Sequence, residues 1–384
     1  MTLAEVNARC VIVGGGIQGL ATAYELARLG MKDIVVLERS YLNAGASGRN
    51  GGGVRAQWSS RDNIELMRES IQICRAFASE HRINVWFRQG GYLFVARSPE
   101  RAAELETSSA LQRECGLDTH VLSPVRAKAI VPELDATRIL AASFNASDGV
   151  VFPWPFLWGY ARHAKELGVD VRTHTEVTAI ETENGRVAAV VTEDTRFRAP
   201  LVLCAAGAWS PEVARLVGVE LPNHPHRHEI CSTEPLKPFL GPLVADLGSG
   251  LYFSQSMRGE IVGGISNREV PPGLDQNSSL KFLGLYAKAL TEMMPILGHV
   301  RVLRQWAGCY DLTPDGAPIF GRVDGVDGFL VTCGFMGHGF MIAPVVAKIL
   351  ARHLAKDEDH PLLTKWNLRR FKEGKLLRET MILG

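Results

Sequence analysis

The chain has 384 residues, with 42 Lys and Arg set against 41 Asp and Glu for a formal net charge of +1. That length accommodates two domains with substantial cores, and the even charge, without Lys/Arg blocks or an acidic tail, excludes a nucleic-acid surface. The apolar runs are too short for a membrane span, MTLAEVNAR lacks the layout of a signal peptide, and the seven cysteines are scattered and never spaced C-x-x-C, so the expectation is a soluble cytoplasmic protein with reduced thiols and no metal site.

Residues 10–38, CVIVGGGIQGLATAYELARLGMKDIVVLE, read as one unit. Residues 11–13 make a short buried strand. Gly14, Gly16 and Gly19 follow in G-x-G-x-x-G spacing. The first permits a tight turn, the second lets the backbone approach a pyrophosphate, and the third lets helix and strand pack closely. The helix that follows has an apolar face, turns its positive end to the phosphates and stops at Gly30. A second strand over 34–37 ends at Glu38, about 20 residues past the last glycine, where a carboxylate bonds the ribose hydroxyls. An acid there argues against a 2′-phosphate and leaves NAD and FAD both open.

The glycine-rich stretch AGASGRNGGGVRAQW (44–58) leaves backbone amides bare for a ligand or makes a sharply bent loop. An amphipathic helix follows over 61–83, then a strand over 90–98 and a helix over 98–116 opening at Ser98-Pro99. A helix over 155–167 stops at Gly168, with a strand over 169–172 after it. The tripeptide ENG (183–185) turns between two alternating runs and signals a hairpin. LVLCAAG is another buried strand. Residues 221–300 read as β-rich, with LYFSQS and IVGGIS as strands and a helix near 279–295. A strand over 329–333, a glycine-rich turn and a long helix close the chain. The expected fold is α/β (α+β overall): a Rossmann-like dinucleotide domain from 1–85, 146–220 and 300–384, and a β-sheet-based substrate domain from 86–145 and 221–299.

Those segments together resemble the glycine/D-amino-acid-oxidase superfamily of flavoproteins, in the branch of sarcosine oxidase, its heteromeric β subunit and the proline dehydrogenase β subunit. The matching residues are GGGIQG…E (14–38), SGRNGGG (47–53), TEV (175–177), CAAGAWS (204–210) and TPDGAPIFG…GFMGHGF (313–340). The resemblance implies that the dinucleotide is FAD. Gly14, Gly16, Ile17, Gln18 and Gly19 would then hold the pyrophosphate, and Glu38 with Arg39 the ribose side. Ser47, Arg49, Asn50 and Gly51 would line the flavin side of the loop, Val177 would meet adenine, and Ala206, Gly207 and Trp209 would form a second dinucleotide contact. Gly337, His338, Gly339, Phe340 and Met341 match the turn whose amides face the flavin pyrimidine oxygen, where a helix start stabilises the anionic reduced flavin.

The resemblance further implies hydride transfer from a C–H beside nitrogen to flavin N5, with the imine product hydrolysed by water. Arg55 matches a carboxylate-binding arginine, since a guanidinium can take a carboxylate bidentately. Tyr252 matches a pocket tyrosine, and Trp306 and His338 are candidate walls. Three positions depart from the family pattern. Val262 stands where oxidases carry a lysine near flavin N5, and Met341 stands where sarcosine oxidases carry another lysine. Gly308 occupies the flavin-linking cysteine position with Cys309 one residue off, so FAD is expected to be non-covalent. The leading expectation is oxidation of a sarcosine-like amino acid with reoxidation by O2 to H2O2. The alternatives are a proline-type dehydrogenase handing electrons to a partner subunit or quinone, a non-catalytic flavin subunit of a heteromer, and an NAD-linked dehydrogenase.

Overall fold

The computed structural model of the chain describes residues 3–383. A six-stranded sheet runs in the order Ile319–Arg322, Phe329–Cys333, Val202–Cys204, Cys10–Val13, Ile34–Leu37, Asp170–Arg172, antiparallel only at the first pair. Its four inner strands are buried and almost wholly apolar because both faces are covered. Cys10 and Ile12 enter the core shared with the helices Ile17–Arg28, Arg61–His81, Pro153–Glu166 and Gly339–Lys356. Val11 and Val13 enter the opposite core, beneath a four-stranded sheet made of Ala4–Asn7, Thr195–Arg198, Arg186–Val191 and Ala179–Glu183. The hairpin at 183–185 turns through Asn184 (φ 50°) and Gly185 (φ 76°), two consecutive positive φ values that match the twist of the flanking strands.

Local chemistry sets most helix limits. The Ser98 hydroxyl accepts from the Arg101 N–H, and Pro99 opens that helix. The helix expected over 155–167 begins earlier, at Pro153, because prolines 153 and 155 both fit a first turn that needs no intrahelical N–H donor.

An eight-stranded sheet carries the second layer: Val302–Leu312, His224–Thr233, Ile261–Gly264, Leu251–Gln255, Leu243–Asp246, Tyr92–Ala96, Ala141–Asn145 and His120–Leu122. The helix Leu280–Met293 packs on it through Phe282, Tyr286, Leu290 and Met293. The boundary expected at residue 300 requires correction. Val302–Leu312 hydrogen-bonds along His224–Thr233 from Leu312 opposite His224 to Val302 opposite Thr233, so it belongs to this sheet and not to the dinucleotide half. A strand's sheet is chosen by its pairing partner, which local sequence does not encode. All seven cysteines are buried free thiols. Among the described residues, no helix is long and apolar enough to cross a membrane.

Candidate active site

Two helix starts open onto one cavity of about 590 Å³. The first is the helix Ile17–Arg28, whose cap residue Gly16 carries no side chain to satisfy the exposed amides. The Ile17 N–H donates 3.0 Å to Ser47 Oγ. The second is Gly339–Lys356, which likewise has no side-chain cap. The Gln18 Nε2 donates 2.9 Å to the Gly339 carbonyl and ties the two starts together. Free N–H groups and the positive ends of two helix dipoles therefore converge on the cavity. Gly19 is absent from its lining; its role is packing, because a Cβ there would collide with the Gly14 carbonyl.

The strand ends and loops supply the rest. The Glu38 carboxylate accepts from Gly15 N (2.8 Å) and Ser40 N (2.9 Å) and lines the cavity. Beside it Arg39 lies 4.6 Å over the Trp209 ring, and Val177, Val213 and Leu216 complete an apolar slot. In the glycine-rich loop Asn50 accepts from Gly52 N (2.8 Å) and donates to Ser47 O (2.6 Å). Arg49 donates to Ala44 O (2.8 Å) and Ala307 O (3.0 Å). Trp306 does not line the cavity; its Nε1 donates 2.8 Å to the Arg49 carbonyl and pins the loop to the eight-stranded sheet.

At the other end of the cavity the sheet presents Tyr252, His228 and Tyr310. His228 Nε2 lies 3.0 Å from the Tyr252 hydroxyl, and the His228 ring stacks on Tyr310 at 4.5 Å and 10°. Burial, aided by His226, pushes the His228 pKa down to about 3, so the ring is neutral at physiological pH. Burial likewise drives Tyr252 well above the ordinary phenol range. His338, whose ring sits 4.5 Å from Trp58, is lowered to about 3 by burial and then by Arg55. The wall thus holds hydrogen-bonding groups without charge.

The structure brings Arg55 to this end but commits it. Its two terminal nitrogens donate to the carbonyls of Gln57 and Met381, and the guanidinium lies 3.6 Å over the Trp58 ring. Each terminal nitrogen keeps a second hydrogen. Val262 and Met341 both line the cavity. Cys309 also lines the cavity, with its thiol 3.8 Å from Gly273 O and 3.7 Å from Asp275 O, and burial raises its pKa to about 11. Gly308 is the residue whose Cβ direction points to the flavin-side loop, 3.3 Å from Arg49 Cβ.

Sequence reading missed Asn43, His228, Tyr310, Thr332 and Leu383, all of which line the cavity. Asn43 left a signal, an asparagine in a turn, where it adopts φ 65°. His228 is the third of three alternating histidines in HPHRH (224–228), a pattern that does not say which of them enters a site; its partner is 24 residues away.

The residues 9–353 match the family described as FAD dependent oxidoreductase, DAO. The chain belongs to the DAO family. Within it, sarcosine oxidase subunit beta of Rhodobacter capsulatus is 30% identical over 380 residues, 97% of this chain and 91% of the relative. Mitochondrial dimethylglycine dehydrogenase of Rattus norvegicus is 28% identical over 399 residues, which take in 96% of this chain and 46% of that one. The crystal structure of L-proline dehydrogenase from P. horikoshii superposes with a TM-score of 0.92 at 31% identity, covering 97% of this chain and 100% of that structure. This DAO-family chain is an FAD-dependent oxidoreductase, and its own atoms fit the cofactor. Buried polar atoms without a protein partner, namely Gln18 Oε1, the Asn43 amide, Thr332 Oγ1 and His338 Nε2, belong to residues lining the cavity. They are donors and acceptors of the kind a flavin, ribityl chain or diphosphate would satisfy.

Proposed function

We propose that the chain oxidises a secondary or N-methyl α-amino acid of the sarcosine class, using non-covalently held FAD. When bound, FAD supplies the acceptor for the hydride of a C–H beside nitrogen. The amine N–H proton leaves as C=N forms, and water then hydrolyses the imine to a carbonyl compound and an amine. The observation that carries this reading is the uncharged Tyr252–His228 wall facing the glycine-rich loop across one cavity. Such a wall penalises the ammonium form of a bound amine and so favours the free base, whose lone pair is needed for oxidation. Arg55 offers its remaining hydrogens to the substrate carboxylate. The amides at the start of Gly339–Lys356 favour negative charge on the reduced pyrimidine edge of the flavin. The sarcosine oxidase and L-proline dehydrogenase relatives support the substrate class. The orientation of the Cys309 thiol supports non-covalent attachment.

For the acceptor of the flavin's two electrons we take O2, which with two protons gives H2O2. One observation favours a partner protein instead: among the described residues no lysine lines the cavity, and Val262, which does, matches the position where the family resemblance implies one. Aerobic turnover of purified FAD-loaded protein with sarcosine and L-proline, followed by peroxide, tests both. Peroxide establishes the oxidase. Flavin bleaching without peroxide establishes the dehydrogenase. A flavin that neither amine bleaches overturns the substrate class.

A further inference from the structure

We propose that the segment 377–383 is the substrate-selecting wall of this cavity, with Leu383 setting the width of the amino acid admitted. The inference rests on the amino-acid reading above and deepens it.

The segment is held by a built clamp. The Leu377 N–H donates 3.1 Å to Asp315 Oδ2, a carboxylate that is also paired with Arg370. Farther on, the buried Glu379 carboxylate accepts from Ser59 N (2.9 Å), Thr380 N (3.1 Å), Met381 N (3.0 Å), Ser60 Oγ (2.8 Å) and Asn63 Nδ2 (3.0 Å), and from the Ser59 hydroxyl. Burial alone would raise its pKa, yet these donors outweigh burial and lower it. Met381 is fully buried, and its carbonyl takes the Arg55 guanidinium.

The chain does not stop at this anchorage. Two residues past Met381, Leu383 contributes to the cavity lining together with Arg55, Tyr92, Leu243 and Tyr252. Leu383 and Tyr252 pack on one small apolar cluster that contains Tyr92 and Leu243. An anchor serving stability alone would need no side chain in the cavity. This one places an apolar side chain beside Arg55, the cationic group at the amino-acid end. A carboxylate held by Arg55 would share this cavity with the Leu383 and Tyr252 side chains, which pack on the same apolar cluster. Sheet residues such as Leu243 cannot change size without disturbing their neighbours. Leu383, outside every strand and helix and only partly buried, is freer to change size.

The test is binding of a graded set of carboxylates (acetate, 2-methylpropanoate, cyclopentanecarboxylate, benzoate) to FAD-loaded protein, read from the perturbed flavin absorbance. Leu383→Ala is expected to tighten benzoate relative to acetate by roughly tenfold, and Leu383→Phe to shift the same ratio the other way by a similar factor, the scale that one or two methylenes command in an apolar pocket. Glu379→Gln, which loosens the clamp and with it the Met381 carbonyl on Arg55, is expected to weaken every carboxylate together. A benzoate-to-acetate ratio that stays within about twofold in both Leu383 variants would overturn the proposal. Because the readout is binding, failure of amines to bleach the flavin would count against the proposed activity and leave this result standing.

Discussion

The side-chain amide of Gln18 donates a 2.9 Å hydrogen bond to the carbonyl of Gly339, joining positions 321 residues apart. It holds two helix starts at one cavity, so their exposed amides can act on a single ligand. Gln18→Leu keeps the bulk and removes the donor. The expected result is a folded protein whose FAD dissociation constant rises roughly five- to tenfold, the scale of one net hydrogen bond. Titrating apoprotein with FAD by fluorescence quenching checks this, and an unchanged constant would show that the two helix starts are held by packing alone.

Gly16 and Gly19 of the first turn do different work, and substitution separates them. Gly19→Ala drives a Cβ into the Gly14 carbonyl, with Ile12 Cγ2 at 3.2 Å behind it. Backbone cannot yield there, so the variant is expected to lose the fold, seen as aggregation or a collapsed melting temperature. A Cβ at Gly16 would meet only the Ser47 side chain, at 3.0 Å and 3.9 Å, and side chains move. Gly16→Ala is expected to melt near the wild type yet bind FAD weakly. Equal stability loss in both would refute the assignment.

Neutral His228 and His338 make a pH prediction. Both have folded pKa values near 3, below the ordinary 6.5, so neither changes charge between pH 5 and 8 in the folded protein. Neither histidine can therefore be the source of an acid limb in the rate of flavin reduction over that range, which leaves the bound amine and the cavity-lining Asp311, raised to about 7, as the groups that titrate there. His228→Gln and Tyr252→Phe are expected to slow reduction by ~10- to 100-fold, while His228→Gln leaves the position of the limb unchanged. A limb that disappears with His228 would assign the titration to that histidine. For stability the sign is set by the same depression: unfolded histidine binds protons that the folded ring refuses, so this contribution is complete above about 6.5 and is lost as pH falls toward 3.

Val262→Lys tests the electron acceptor. The side chain lines the cavity from the strand Ile261–Gly264. A cation there would favour one-electron transfer to O2 by stabilising the developing negative charge. Reoxidation of photoreduced enzyme by air, measured by stopped flow, is expected to quicken by at least about tenfold, the scale of a single well-placed electrostatic contact. No change would remove lysine from the account of oxygen reactivity.

Asp311 lies buried at the end of Val302–Leu312, accepting from the Asn223 amide and the Gly334 N–H, and burial raises its pKa to about 7 against those donors. A carboxyl raised in the fold stabilises below its ordinary value of 3.8, and that contribution is lost as pH rises through 7. Asp311→Asn removes the buried charge. Its melting temperature relative to wild type is expected to climb between pH 4 and 7 and level off above, as scanning calorimetry at three pH values would show. A constant difference would mean the group never titrates.

Much of the nucleotide half is legible from local sequence. The strand, the G-x-G-x-x-G turn, the helix and Glu38 lie within 29 consecutive residues, from 10 to 38, and each depends on side-chain period or on backbone freedom that neighbours alone dictate. Ser98-Pro99 and the ENG turn announce their helix and hairpin for the same reason. The departures at Val262, Met341 and Gly308 are likewise visible as residue types.

Tertiary structure alone decided what those residues face. Residues 302–312 fall in the stretch expected to belong to the dinucleotide domain, and their ten-residue pairing with His224–Thr233 places them in the eight-stranded sheet. The Cys309 thiol points to Gly273 and Asp275 because alternate residues of that strand face opposite sides, and the side is fixed by register. Arg55 shows the limit most plainly. The family resemblance implies a carboxylate ligand for it, whereas its partner Met381 lies 326 residues along the chain. No local rule sees that distance; only packing the whole chain brings the two together.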